Sequence, residues 1–154
     1  MSDSRSGSRA RRLAWCLLLA FGLAAGAAER QTPDAGVRAA MDGFLEALNG
    51  LDLERIGATF ADDVTAFVPS AQAQRVTGKA AVVEIFRAFV VKTRETTPRL
   101  SIVPEDVVVE AAPSLGVVSF QVRGSARTNR RTFVFRRTTG RWLISHFHAS
   151  DVTS

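Results

Sequence analysis

The sequence predicts an α+β domain in which helices early in the chain pack against a sheet built later. Two observations carry this prediction. Apolar residues recur at helical spacing in two long segments before residue 95. After Pro98 the pattern changes to β-branched runs separated by turn residues. Because helices are segregated from a run of antiparallel strands, we expect a curved sheet wrapped over the helices.

Three helices are predicted before the long strands. The first covers about residues 35–49, with Asp34 as its N-cap and Gly50 as a left-handed C-cap. Asp52 caps a short second helix, and the longest helix covers roughly residues 79–94. The apolar stripe of each helix is expected to face the sheet.

One short strand, residues 64–68, is predicted between the second and third helices. Asp62 and Asp63 precede it and are expected to solvate a turn rather than to form a catalytic carboxylate pair. Pro104 predicts a bulge or an edge position, and Thr139-Gly140 predicts a tight turn. The four later strands are predicted at residues 100–109, 117–127, 131–138 and 141–152.

The first 27 residues have the pattern of a secretory signal. Basic residues including Arg11 and Arg12 precede an apolar run at 13–25, which is too short to span a bilayer, and small residues follow at 25–27. We expect a cleaved signal peptide at 1–27, a linker at 28–34, a domain at 35–154, and a periplasmic or secreted protein. An uncleaved N-terminal anchor is the alternative. Cleavage would remove Cys16, the single cysteine.

Charge in the predicted mature chain is nearly balanced but unevenly placed. Without residues 1–27 the chain holds 16 Lys and Arg against 14 Asp and Glu. Residues 123–154 hold seven Arg against Asp151 alone. These arginines are either solvated strand edges or an anion-binding surface. We expect no nucleic-acid partner and, after signal cleavage, no membrane partner.

Four segments in order carry a family resemblance: FLEALNGLD at 44–52, FADDVTAF at 60–67, TGKAAV at 77–82 and GRWLISHFHAS at 140–150. They resemble the SnoaL-like domains of the nuclear transport factor 2-like superfamily. The last segment is similar to the final strand of the calcium/calmodulin-dependent protein kinase II association domain. The resemblance implies a cystatin-like roll: a conical, mixed or antiparallel sheet over a long helix and two N-terminal helices, enclosing a pocket. It also implies a homo-oligomer, dimeric or larger, built through the convex sheet face.

The resemblance does not select an activity, because the superfamily includes enzymes and non-catalytic domains. Its ketosteroid isomerases use an Asp base with Tyr and protonated Asp donors. This chain has no tyrosine, and Val68 stands at the position of the base. The kinase association domain carries an Arg before the final Ser of its last strand, lining an anion-accepting pocket, where this chain has Ala149. Steroid isomerisation is therefore not expected.

The two histidines, His146 and His148, are two apart on the predicted last strand and therefore share a face. The same alternation groups Leu143, Ser145, Phe147 and Ala149 on the opposite face. The imidazoles could hold a metal with a third ligand, act as a general base, or form a polar row at a subunit interface. The third interpretation is favoured, and neither a metal nor a cofactor is expected.

We therefore predict an exported, non-catalytic, self-associating domain that binds a small hydrophobic or anionic ligand, such as a small organic acid, in the cone. The alternative is a small-molecule isomerase or hydrolase that uses His146 or His148 as acid or base. Arg131 is a further source of positive charge near the pocket. The predicted ligand-binding residues are His146, His148, Arg123, Arg136, Phe67 and Trp142.

Overall fold

A computed structural model describes residues 32–69, 74–124 and 127–153. The predicted signal peptide and most of the predicted linker lie outside the described residues. In this part of the chain, no helix has both the length and the apolar character needed to cross a membrane. The helices are α1 (Pro33–Asn49), α2 (Leu53–Ala58) and α3 (Lys79–Arg94). The strands are β1 (Phe60–Phe67), β2 (Arg75–Thr77), β3 (Glu105–Ala111), β4 (Leu115–Arg123), β5 (Arg127–Thr138) and β6 (Arg141–Thr153).

Both ends of α1 differ from the prediction. The helix is capped by Thr32, whose hydroxyl accepts from the amide of Ala35 at 3.3 Å. The predicted cap at Asp34 was wrong because Pro33, which suits the first helical position, already begins the helix. Gly50 is right-handed, with φ −77°, and Leu51 takes the left-handed conformation instead, with φ 55°. Leu51 is fully buried, so its side chain is held in the core.

Two predictions about the middle of the chain had different outcomes. Asp52 caps α2 as predicted, because its carboxylate accepts from the amide of Arg55 at 3.0 Å. The predicted turn at Asp62 and Asp63 was wrong, since both lie within β1. Pairing with the last strand extends β1 back to Phe60, and both carboxylates point to solvent.

The sheet has six strands in the order β2-β1-β6-β5-β4-β3. The β1–β6 pair is parallel and the remaining pairs are antiparallel, so the curved sheet is mixed. The four predicted antiparallel strands are confirmed, although β3 begins only after Pro104 and β5 begins at Arg127. The predicted turn between the last two strands is also confirmed. Thr139 and Gly140 both have positive φ, as a two-residue hairpin requires.

One face of the sheet, here called the inner face, packs against the helices, and the opposite face is the outer face. The core on the inner face is rich in phenylalanine: the Phe44 ring of α1 lies 5.3 Å from Phe133 and 5.9 Å from Phe60, measured between centroids. Close approach of α1 to β4 depends on Gly116. A Cβ there would lie 2.4 Å from Cγ2 of Val37.

A bulge in β6 changes which residues reach the inner face. His146 pairs with Val134 and Ile144 pairs with Phe135, so Ser145 is an extra residue without a partner in the ladder. As a result Trp142 and Ile144 lie on the same face as Phe147. The predicted grouping of Leu143 with Phe147 was wrong, because simple alternation along the strand does not allow for the bulge.

Candidate functional site

Both histidines lie on the outer face of the sheet. Phe147, between them in sequence, packs on the inner face with ring centroids 5.8 Å from Phe60 and 5.9 Å from Phe86. Since successive side chains of a strand alternate, His146 and His148 point away from the helices. An acid or base role within the cone would require an imidazole on the inner face. Neither His146 nor His148 lies on that face.

The two imidazoles belong to a group of residues that we call the outer-face cluster: His146, His148, Thr65, Phe67 and Arg75. The hydroxyl of Thr65 lies 2.7 Å from Nδ1 of His146. The Phe67 ring meets His146 and His148 edge-on, at centroid distances of 6.0 and 6.3 Å. The guanidinium of Arg75 stands 5.0 Å from the centroid of Phe67. The cluster therefore joins three strands of the sheet on one surface.

Burial lowers the pKa of His146 below its ordinary value. The positive charge of Arg75 and the neighbouring His148 lower that pKa further, whereas a hydrogen bond with the backbone of Thr65 acts in the opposite direction. The environment of the outer-face cluster thus favours the neutral imidazole of His146.

The two predicted arginines are exposed and paired on the sheet. Arg123 donates to a carboxylate oxygen of Glu105 at 2.6 Å. Arg136 donates to Asp63, and this hydrogen bond lowers the pKa of the Asp63 carboxyl. Each guanidinium thus belongs to its own ion pair, and the two do not converge on a common site with the outer-face cluster.

Trp142 packs against the N-terminal half of α1. A Cβ on Gly36 would lie 2.4 Å from the indole nitrogen, so the glycine makes room for the ring. The indole lines an open cavity of about 290 Å³ between α1 and the start of β6, near Arg55 and Arg141. The six predicted binding residues therefore fall in four places: His146, His148 and Phe67 together, and Arg123, Arg136 and Trp142 apart.

The inner face presents a different surface, an aromatic floor. The rings of Phe120 and Phe133 are stacked with centroids 5.8 Å apart, and those of Phe133 and Phe147 with centroids 5.6 Å apart. These three residues lie on adjacent strands β4, β5 and β6. Phe86 of α3 covers Phe147 at 5.9 Å.

Arg131 stands at the edge of this floor. It pairs with Phe120 on one side and with Ala149 on the other, so its side chain shares the inner face with Phe133. Its side chain is 26% exposed and lies 3.9 Å from the carboxylate of Asp151. Among the described residues its guanidinium donates to Oδ1 of Asn129 at 2.9 Å and to the backbone carbonyl of Arg130 at 3.2 Å. Burial lowers the pKa of Arg131, and Asp151 opposes this effect.

A small cavity of about 110 Å³ opens beside the same floor, between α1 and strands β3 and β4. Phe120 and Val118 form one wall and Met41 another, with Arg38 and Asp42 at the rim. Phe120 thus separates this cavity from Arg131. The arrangement combines apolar walls with a few charged groups, as small-molecule sites usually do.

Within residues 32–69, 74–124 and 127–153, no three His, Cys, Asp or Glu side chains are grouped so that they could hold a metal ion. The inner-face arginine was one of three candidates from the sequence, but Asn129 and Asp151 were missed. The signal for Arg131 was present in the alternation Arg131-x-Phe133-x-Phe135, which places the guanidinium on the face of two buried rings.

Residues 37–154 match the family of SnoaL-like domains, and the chain belongs to this family. Among proteins of curated function, none matches the chain significantly. A nuclear transport factor 2-like protein of unknown function from Pseudomonas putida is 25% identical with a TM-score of 0.65, over 76% of this chain and 84% of that one. The calcium/calmodulin-dependent protein kinase II hub of S. rosetta is 21% identical with a TM-score of 0.64, over 79% and 98%.

A protein provisionally described as a ketosteroid isomerase, from Parabacteroides distasonis, is 20% identical with a TM-score of 0.63, over 79% of this chain and 89% of that one. At this identity the likeness shows a shared fold alone and carries no conclusion about chemistry. The resemblance inferred from the four sequence segments is confirmed at the level of the family and the fold.

Proposed function

We propose that this chain is an exported, non-catalytic SnoaL-like domain that binds a small organic anion on the inner face of its sheet and self-associates through the outer face. The observation that carries the binding proposal is the mostly buried guanidinium of Arg131 at the edge of the stacked phenylalanines. Support for a non-catalytic role comes from the histidines, which both lie on the opposite face.

The surroundings of Arg131 favour an anionic ligand. A guanidinium stays charged in proteins, and its removal from water is unfavourable unless an anion or several acceptors replace the lost water. The nearest carboxylate, on Asp151, lies 3.9 Å away, at the outer limit for an ion pair. A ligand carboxylate could accept two hydrogen bonds from the fork of the guanidinium, which is the geometry that arginine recognises best.

The aromatic floor favours an apolar body on the same ligand. The stacked rings of Phe120 and Phe133 lie beside Arg131 and are more than nine-tenths buried, so a ligand at the guanidinium would contact mainly their edges. The cavity of about 110 Å³ on the other side of Phe120 is small, and Arg131 does not line it. We therefore expect a small carboxylic acid rather than a ligand of steroid size.

Benzoate and its neutral analogue benzamide test the binding proposal by calorimetry or NMR titration. We expect benzoate to bind the wild type and benzamide to bind at least tenfold more weakly. R131Q should lose at least tenfold in benzoate affinity, because the charge-assisted hydrogen bonds are lost. R123Q is the matched control, since Arg123 is exposed on the outer face, and it should bind benzoate as the wild type does. Equal binding by R131Q and R123Q would refute the assignment.

The outer face supports self-association because its centre carries polar and apolar side chains, with the Arg75 guanidinium standing only at the β2 edge. Besides the outer-face cluster, the centre carries Val134 and Thr132 of β5 and Val117 and Ser119 of β4, as the strand register shows. Val108 and Leu115, about half exposed, extend this apolar surface. Exposed apolar patches with charged rims are typical of protein–protein interfaces.

A second copy of the chain fits this face by area and by charge. Six strands about 4.8 Å apart, over about 30 Å of the longer strands, offer a face on the order of 700 Å² per copy, close to the standard interface size. A two-fold axis parallel to the strands would lay the β2 edge of one copy over the β3 edge of the other. Arg75 would then approach Glu110 of the second copy.

Sedimentation velocity on the chain from residue 28 onward tests self-association at micromolar concentration. V117E should shift the wild-type dimer or larger species to monomer, because two copies of a buried carboxylate would meet at the interface. V91E is the control, since Val91 is an exposed apolar residue on α3 rather than on the sheet. A strictly monomeric wild type, or equal effects of the two variants, would contradict the proposal.

Export is supported by the pattern of residues 1–27: basic residues, an apolar run and small residues in that order. Expression of the full chain in a bacterial host, followed by fractionation and intact-mass measurement, tests this part. We expect a periplasmic or secreted product that begins near Ala28. A full-length protein retained in the membrane would instead support the uncleaved anchor.

A further inference from the structure

We propose that His146 and His148 make the self-association of this chain pH dependent, so that two copies pair when the imidazoles are neutral and separate when they are protonated. The inference rests on the proposed self-association through the outer face. It assigns to the two histidines a role in regulating that interface.

The histidines occupy the middle of the outer face. They lie on β6, the third strand of six, with two strands on one side and three on the other. His146 is flanked by Thr65 and Val134, and His148 by Phe67 and Thr132. In a face-to-face pair related by a two-fold axis, the centre of the patch is the part most completely covered by the partner.

The charged groups around the imidazoles offer no compensation for added positive charge. On β2, Arg75 stands over Phe67, and on β5, Arg130 and Arg136 occupy the outer-face positions before and after the central pair. On β1, Asp63 is already paired with Arg136. On β4 the outer-face neighbours are Val117 and Ser119, which carry no charge, and on β3 the carboxylate of Glu110, beside Val117, lies three strands away from β6. In the part of the chain that the structure describes, no carboxylate contacts either imidazole.

Two-fold symmetry doubles every charge on this face. Protonation would bring four imidazolium groups into one buried layer at the centre of the pair, where like charges repel and cannot be solvated. The lowered pKa of His146 in a single copy already shows the direction of this effect, and covering the ring with a partner strengthens it.

The sign of the pH dependence follows from proton linkage. If association requires neutral imidazoles, then the separated copies bind more protons than the pair does, and acid favours separation. Each imidazole that must lose a proton makes the dissociation constant rise up to tenfold per pH unit below the pKa of the separated chain. With two histidines per copy, up to four protons are linked to each association event.

Sedimentation equilibrium of the chain from residue 28 onward, at pH 7.5 and pH 5.0, tests the inference. We expect the dissociation constant to rise at least a hundredfold at pH 5.0, with circular dichroism showing a folded chain at both values. Asp and Glu remain mostly ionised at pH 5.0, so their titration contributes little. Whatever its affinity at pH 7.5, the double variant H146Q/H148Q should change its dissociation constant less than threefold between pH 7.5 and pH 5.0.

The outcomes separate this inference from the proposal on which it depends. A wild type that is monomeric at both pH values refutes the outer-face interface and the inference together. A wild type that associates equally at both values, or a double variant that keeps the wild-type pH dependence, refutes the inference alone. H148Q by itself changes an exposed side chain, so it should fold even if the double variant does not. It should make the dissociation constant less dependent on pH than that of the wild type.

Discussion

The two faces of the sheet use the same strands for opposite purposes. Along β6, Phe147 packs into an aromatic core on the inner face, while His146 and His148 stand on the outer face among small and apolar side chains. The inner face is covered by the chain's own helices, whereas in a single copy nothing described covers the outer face. The comparison shows why the strand that most clearly marks the family need not contribute its polar residues to the pocket.

Arginine side chains on the two faces differ in their exposure and in their partners. Arg123 and Arg136 on the outer face are exposed and paired with carboxylates, and such pairs contribute little to stability. Arg131 on the inner face is mostly buried beside stacked rings, with its nearest carboxylate at 3.9 Å. The face that a residue occupies thus decides whether its charge stands exposed at an edge or lies beside buried rings.

The largest difference in stability between the two faces is expected when a ring of the inner aromatic floor is truncated. F133A removes a buried ring that contacts Phe44, Phe120 and Phe147, and should lower the free energy of unfolding by about 3–5 kcal/mol. V117A on the outer face should lower it by less than about 1 kcal/mol in the monomer. Urea denaturation at pH 7.5 measures both, and similar losses would mean that the outer face is as tightly packed as the inner one.

A smaller difference in stability is expected when alanine replaces either of two glycines, one packed closely and one in open surroundings. G116A places a Cβ 2.4 Å from Cγ2 of Val37 and should destabilise the domain by about 1–3 kcal/mol through overpacking on the inner face. G43A is the control, because no atom lies within 4 Å of its added Cβ on α1. It should stabilise the helix by up to about 1 kcal/mol, and the melting temperatures of the two variants should move in opposite directions.

The smallest effect is expected from titration on the outer face of a single copy. Folding lowers the pKa of His146, so the unfolded chain binds more protons, and the free energy of unfolding should fall as the pH drops below about 6.5. H146Q should reduce this dependence of the free energy of unfolding on pH. At pH 7.5 the free energy of unfolding of H146Q should stay close to that of the wild type. Unfolding of dilute, monomeric protein at pH 7.5, 6.5 and 5.5 measures the effect. A wild type that becomes more stable in acid would contradict the sign.

Local features of the fold were predictable where the sequence itself determines them. The α3 helix follows from an apolar stripe after Gly78, and the turn before β6 follows from Thr139-Gly140. The left-handed residue at Leu51 was not predictable, because burial of its side chain outweighs the usual preference for glycine. The strand positions of Asp62 and Asp63 depend on pairing between β1 and β6, which are distant in sequence.

The candidate site was less predictable because it depends on register between strands. Alternation within β5 suggests that Arg131 shares a face with Phe133, and pairing with Phe120 and Ala149 then establishes that this face is the inner one. Asn129 and Asp151 reach the same guanidinium from two strands. Alternation within β5 contained part of this information, whereas the contribution of β6 required the fold.

Ser145, the extra residue of the bulge, has a consequence for how this strand tolerates change in length. Without it Ile144 and His146 would be adjacent, and simple alternation would still place Ile144 on the inner face and His146 on the outer face. Loss of Ser145 alone would therefore make the ladder regular and keep the indole of Trp142 against α1 and both imidazoles on the outer face. A one-residue deletion elsewhere within β6 would instead turn one half of the strand over, so the bulge is the one position in β6 where the strand can shorten and keep both surfaces.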